Sequence, residues 1–295
     1  MSLYRKRRGV VMREACLKIS SILRLFSKCL VFVLISAFLV TCDSKKYVKP
    51  EDASSTELQA DKASGLNTLT EQEKAEGWML LFNGKTLEGW RGLGRETLPE
   101  GQWIIQDGAI KKVADKDVPL QEDGQPLEGC DLMTIQTFEN FELSLEWKIS
   151  PGGNSGIKYN VSEEMSTAHP PDNAALGFEY QIIDDERHLD ALLGKDRTAA
   201  ALYDLIAPEN KTLKPVGEFN SARIVFRGHH GEHWLNGIKV LEYDLNTPEM
   251  DKLIQGSKYR EIPDFAQKRN GHIILQDHAD AVWFRNIKIR ILNPD

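Results

Sequence analysis

The stretch Phe141–Ile149, FELSLEWKI, sets the strongest limit on what this chain can fold into. Phe141, Leu143, Leu145, Trp147 and Ile149 alternate with Glu142, Ser144, Glu146 and Lys148. A period of two means an extended strand with one apolar and one polar face. The pattern recurs in short pieces. Val282–Ile291 sets Ile287, Ile289 and Ile291 against Lys288 and Arg290, with Phe284 out of step after Trp283. Trp103–Gln106 and Ala109–Val113 flank Asp107-Gly108, and Glu232–Leu235 and Ile238–Tyr243 flank Asn236-Gly237. Both dipeptides are two-residue hairpin signals. Trp78–Phe82, Asp131–Thr134, Ser155–Tyr159, Phe178–Ile183, Ala200–Leu205, Ala222–Arg227 and His272–Leu275 are further strand candidates. Helix signals are few. A capping box at Thr70-Glu71-Gln72-Glu73 opens a short helix stopped by Gly77, and Thr247-Pro248 opens another reaching Ile254. Many short strands with one or two short helices predict an all-β sandwich.

Charge is divided unevenly. The first 41 residues hold eight Lys/Arg and one acid, Glu14, whereas the whole chain has 37 bases and 44 acids. The remainder is therefore strongly acidic, which excludes a nucleic-acid binder working through basic patches. Arg5, Lys6, Arg7, Arg8 and Arg13 precede the apolar run Leu30–Val40, the layout of a secretory signal, with Met12 as an alternative start. The run ends Leu39-Val40-Thr41-Cys42, which resembles a lipobox. The expectation is a signal peptide over 1–41, lipid anchoring through Cys42 to a membrane, and a place in the cell envelope, periplasmic or attached to the outer membrane. A plain cleaved signal or a short anchor is the alternative. Residues 42–68 are polar without apolar periodicity and read as a flexible tether, leaving 69–295 as the folded domain. Cys16 and Cys29 lie in the leader, so Cys130 is alone in the domain and no disulfide framework is expected.

Two polar clusters interrupt apolar strands. Glu179 and Gln181 lie two apart and share a face opposite Phe178, Tyr180 and Ile182. A carboxylate within such a strand needs a reason, because burying it is costly; a solvent-facing strand is the plainer reading. Between His272–Leu275 and Val282–Ile291 sits a knot of Gln276, Asp277, His278 and Asp280. Asp277-His278 can act as base, acid or metal ligand, or can simply be a turn whose aspartate caps backbone N–H groups. Lys158, following Asn154-Ser155-Gly156-Ile157, and Tyr203 are candidate polar site residues, or else are a surface lysine beside a glycine bulge and a core phenol. Asp184, Asp185, Glu186, His188 and Asp190 could bind a cation but show no recognised ligand spacing, so they read as a solvated acidic loop, with Asp184 alone kept as a candidate. His229, His230 and His233 read as hairpin residues.

The tail Gly271, Leu275, Gln276, Asp277, His278, Val282, Phe284, Arg285, Asn286 and Ile287, the opening GWMLLFNGKTLEGW, the pattern Gly177, Glu179, Gln181, Asp184 and the NSGI at Asn154 together resemble the bacterial DUF1080 family of 3-keto-disaccharide hydrolase domains. The resemblance spans about Leu69 to Leu292. The family usually has glycine after the Asp-His pair, where this chain has Ala279. The resemblance implies a concanavalin A-like jelly roll and cleavage of sugars carrying a ketone at C3. It implies Glu179, Asp277 and His278 as catalytic residues: Glu179 or His278 as base, Asp277 orienting the imidazole, Lys158 or a divalent cation near the enolate. It places Lys158, Gln181, Asp184, Tyr203 and Gln276 around the substrate. A sugar oxidoreductase that makes the ketone is the implied partner. Direct hydrolysis by two carboxylates is the other chemistry. A lectin-like module stacking sugars on Trp90, Trp103 and Trp234 is the non-enzymatic alternative.

Overall fold

The computed structural model describes residues 65–168 and 174–294. The predicted signal peptide, Cys42 and most of the tether lie outside the described residues. Thirteen strands form two antiparallel sheets among the described residues. They are β1 Trp78–Leu80, β2 Trp90–Gly92, β3 Trp103–Gln106, β4 Ala109–Lys112, β5 Leu132–Thr134, β6 Phe141–Ile149, β7 Asn154–Val161, β8 Phe178–Ile183, β9 Asn220–Arg227, β10 His230–Leu235, β11 Ile238–Asp244, β12 His272–Leu275 and β13 Val282–Ile291. The eight-stranded sheet runs β11-β10-β9-β6-β13-β4-β3, with β1 on β13. The five-stranded sheet runs β2-β5-β12-β7-β8. The architecture is the jelly-roll β-sandwich that the alternation and the family resemblance led us to expect. Helices are short: α1 Glu71–Ala75 behind the Thr70 capping box, α2 Glu163–Ser166 capped by Ser162, and α3 Pro248–Gly256 capped by Thr247. Of these, α2 has no counterpart in the sequence reading.

The core lies between the sheets. The apolar positions of β6 meet Ile157, Tyr159, Phe178, Tyr180 and Ile182 from the other sheet. A polar chain crosses it. The Tyr243 hydroxyl donates to that of Tyr159, which donates to His233 Nε2 at 2.8 Å, and His233 Nδ1 donates to the Ala200 carbonyl at 3.1 Å. Each polar atom is thereby satisfied where water cannot reach, as a buried group requires. His233, read as a hairpin residue, is fully buried, and burial pushes its pKa down to about 4.

Two places depart from the expected regular pattern. In β13 the buried positions change from Val282 and Phe284 to Ile287 and Ile289. Asn286 stands between them with φ 53°, and the pairing to β6 shifts register there. A bulge inserts one residue and so resets the alternation. Asn67, within the stretch read as tether, anchors that bulge: its N–H donates to Asn286 Oδ1 (2.7 Å) and Asn286 N–H donates to Asn67 Oδ1 (2.8 Å). The expected strand Ala200–Leu205 is instead a looped segment beside β8. Positive φ at Ala200 (69°) and Asp204 (60°) breaks the extension, leaving isolated bridges of Leu202 with Tyr180 and Ile206.

Candidate active site

The polar cluster lies on the outer face of the five-stranded sheet. Phe178, Tyr180 and Ile182 point into the core, so Glu179 and Gln181 point away from it. Register places Lys158 of β7 beside Glu179 and Gly156 beside Gln181. A Cβ on Gly156 would stand 2.7 Å from Glu179 Oε1. Glycine there leaves the space into which the Glu179 carboxylate folds. Glu179 is only 3% exposed, and Lys158 Nζ lies 3.6 Å from its Oε2 while donating to the Ala175 carbonyl at 3.1 Å. A buried carboxylate persists only with such partners. On the other side of β7, Gln276 N–H donates to the Gly156 carbonyl, and Gln276 Oε1 accepts no hydrogen bond within the described residues. Gln181 turns its Oε1 back onto the Ile182 N–H at 2.9 Å.

Asp131 completes this patch and was not singled out from the sequence, where it is only the polar start of a short apolar strand. It precedes β5 and falls in the same cross-strand row as Gln276. Burial pushes its pKa up to about 6; the Lys158 charge and the Asp277 N–H oppose that, while Asp277 and Glu179 add to it. Its Oδ1 accepts from Asp277 N–H at 2.8 Å.

Asp277 and His278 part company. The Asp277 carboxylate turns to Lys112 of the other sheet, whose ammonium is fully buried, at 3.2 Å. Lys112 Nζ also donates to Asp115 Oδ1 and to the Val113 carbonyl. Asp277 is thus a tie between the sheets at the rim of the patch, and burial raises its pKa while Lys112 opposes. No hydrogen bond joins Asp277 to the His278 ring among the described residues, so the expected orienting role falls away. His278 instead meets His188, ring centroids 6.1 Å apart and edge to face. His188 is thus more than a member of the solvated loop that the sequence suggests.

Tyr203 and Asp184 are placed differently from one another. Tyr203 N–H donates to the Glu179 carbonyl, and its hydroxyl donates to Asp190 Oδ2 at 2.7 Å, with Arg197 holding the other oxygen. Over its ring, 4.1 Å from the centroid, sits the ammonium of Lys258, within electrostatic reach of Glu179 and Lys158. Lys258 had no sequence signal; a turn after α3 delivers it. Asp184 accepts from the N–H groups of Gly152, Glu186 and Arg187 and from the Arg187 side chain. Burial would raise its pKa, but those donors hold it below the usual carboxylate range. It fastens a turn. It also borders a cavity of about 610 Å³ with Trp147, Pro151, Arg187 and Asn220, which does not include Glu179, Lys158 or His278. The stacking platform imagined for a lectin is absent from the tryptophans named for it. Trp90 and Trp103 are core residues, donating to the carbonyls of Leu81 and Cys130, and Trp234 lies on the opposite sheet under Arg223.

Comparison with known proteins gives the family. The model of the family described as 3-keto-alpha-glucoside-1,2-lyase-like domain matches residues 77–290. A Bacteroides thetaiotaomicron protein named 3-keto-disaccharide hydrolase is 36% identical over 285 residues, covering 88% of this chain and 96% of its own. Two crystal structures of candidate glycosyl hydrolases from Parabacteroides distasonis ATCC 8503 are similar at 32% and 30% identity, with TM-scores of 0.66 and 0.54. They cover 77% and 73% of this chain and 100% and 99% of their own. A family match over most of the chain, joined to that identity, means that the chain belongs to the 3-keto-alpha-glucoside-1,2-lyase-like domain family and is a hydrolase-type enzyme.

Proposed function

We propose that this carbohydrate-acting enzyme cleaves glycosides whose C3 hydroxyl has been oxidised to a ketone. The observation that carries the reading is the Glu179 carboxylate folded over Gly156 beside the Lys158 ammonium, with the half-buried Asp131 in the same patch. These are the three parts the chemistry asks for: a base, a cation for a developing oxyanion, and an acid. A C3 ketone acidifies the hydrogen on C2. Glu179 takes that proton, and Lys158 faces the enolate oxygen. The C1–O bond then breaks, and Asp131, protonated below a pH of about 6, gives its proton to the departing oxygen. Water adds at C1 of the resulting enone, giving its proton to Asp131, while the Glu179 carboxyl, having exchanged its proton with solvent, protonates C2. Bonds and protons balance as net hydrolysis. Lys258 and Gln276 border the same patch and are the groups that would hold sugar oxygens.

The test is release of monosaccharide from a 3-keto disaccharide. Glu179→Gln should lower kcat/KM by about 10³-fold, within the range for a general base. Wild-type turnover in D₂O should put deuterium on C2 of the product. Cleavage without deuterium would favour direct hydrolysis by the Glu179 and Asp131 carboxyls, and wild-type rates in the Gln variant would reject this base.

The substrate must come from an oxidoreductase acting at C3. We further propose that the enzyme works in the cell envelope, held there by acylation of Cys42. Labelling with a radioactive fatty acid, lost in Cys42→Ser, tests the anchor.

A further inference from the structure

Two segments far apart in sequence converge beside the patch. His188 follows β8, whereas His278 and Asp280 follow β12. One ligand atom from each lies within 4.8 Å of the other two, and all three residues are half-buried. Asp280 is fixed in place, because its Oδ2 accepts from the Asn154 N–H at 3.0 Å. Asn154 begins β7 on the same face as Gly156. Its Oδ1 is buried and accepts no hydrogen bond within the described residues, although the residue is only 3% exposed. A buried carbonyl oxygen without a donor calls for a ligand.

We propose that His188, His278 and Asp280, the last tied to the start of β7 by the Asn154 N–H, form a binding site for a divalent first-row transition-metal ion. Two imidazoles and one carboxylate suit Zn²⁺ or Co²⁺ rather than Ca²⁺ or Mg²⁺, which prefer oxygen alone. A second group of similar composition, His230, Glu232 and Glu242, makes a useful contrast. There Lys239 already pairs with both glutamates, so that group carries no such site.

His188 supplies a condition. The Asp190 N–H donates to its Nδ1 at 3.1 Å, which in a neutral ring leaves the proton on Nε2. Ligation through Nε2 moves that proton to Nδ1 and releases the Asp190 N–H to water. Metal uptake therefore has a signature away from the metal, the loss of protection of one backbone amide.

The site deepens the proposed function and rests on it for its role. Asn154 and Gly156 are two residues apart on one strand, about 7 Å. A metal at the histidines thus stands roughly one sugar ring from the Glu179 carboxylate. Three protein ligands leave open positions for oxygen ligands, as in catalytic zinc sites. The ketone oxygen and a neighbouring hydroxyl are a chelating pair of that size.

The test uses the whole folded protein, stripped with EDTA and titrated with Co²⁺ alone. Wild type should bind one equivalent, with visible d–d absorption and faster hydrogen exchange at the Asp190 amide. His188→Ala, His278→Ala and Asp280→Asn should each weaken binding by about 10- to 100-fold, and His230→Ala should not change it. Near-UV circular dichroism separates ligand loss from misfolding, and His278→Gln replaces any variant that fails to fold. No saturable binding by wild type, or binding unaffected in folded His278 and Asp280 variants, would overturn the site. The titration contains no sugar, so its outcome is independent of whether 3-keto glycosides are the substrates.

Discussion

Ala279 holds a φ of 72° in the turn after His278. Its N–H donates to Asp277 Oδ1 at 3.1 Å and its carbonyl accepts from Asp115 N–H at 2.9 Å, so the turn cannot relax without losing both. A Cβ in the left-handed region costs about 1–2 kcal/mol, which is why glycine is the natural occupant. Ala279→Gly should therefore stabilise the fold by about 0.5–1 kcal/mol, the gain reduced by the greater entropy of glycine in the unfolded chain. Thermal melting should show a rise of about 2 °C, and an unchanged or lower midpoint would count against strain at this turn. Asp131 makes the second residue-level prediction. Its folded pKa, about 6, lies above that of a free carboxyl, so its stabilising share is complete at low pH and is lost as pH rises from about 4 through 6. Asp131→Asn keeps an oxygen for the Asp277 N–H. At pH 8 it should be more stable than wild type by on the order of 1 kcal/mol, a difference that vanishes below pH 4. Wild-type kcat/KM should fall above about pH 6, and the same variant should lose that fall. A wild-type profile flat through pH 6 would remove Asp131 from the chemistry.

At the scale of elements, the bulge in β13 connects to the first of the described residues. Asn286 supplies both a side-chain acceptor for Asn67 and a residue type that tolerates φ 53°. Asn286→Ala removes the one and strains the other, for a loss of about 2 kcal/mol in denaturant unfolding. Asn286→Gly relieves only the backbone, and so should recover about half of that loss. Equal stability of the two variants would mean that φ contributes little here. On the opposite sheet, β7 and β8 form a unit in which each residue serves its neighbour. Gly156 makes room for Glu179, Lys158 neutralises it, and Tyr203 borrows its carbonyl. Glu179 and Lys158 are set on paired strands rather than on loops, which holds these two side chains rigidly.

Across the whole molecule, the two sheets are joined by more than apolar packing. His233 links β10 to β7 through Tyr159, and the Lys112–Asp277 pair joins β4 to the end of β12. The His233 ring is neutral in the folded state because burial depresses its pKa to about 4, whereas the unfolded ring titrates near 6.5. The unfolded state thus binds more protons in that interval. Stability present above pH 6.5 should fall by about 3 kcal/mol as pH drops to 4, and His233→Gln should flatten that limb in urea titrations. A limb equally steep in the variant would assign acid lability to other groups.

The alternation in Phe141–Ile149, the Asp-Gly and Asn-Gly turns and the helix caps fixed the sheets and most strand ends, because burial of one strand face and turn chemistry are local properties. The same locality made Glu179 and Gln181 visible as a polar pair against an apolar face. Asp131 and Lys258 carried no local signal, His188 showed only as one member of an acidic loop, and Asp277 was given to its chain neighbour His278 rather than to Lys112. Pairing between distant strands decided those partners. Cross-strand register sets which side chains meet, and hydrophobic pattern specifies that register only as a parity, not as a list of neighbours.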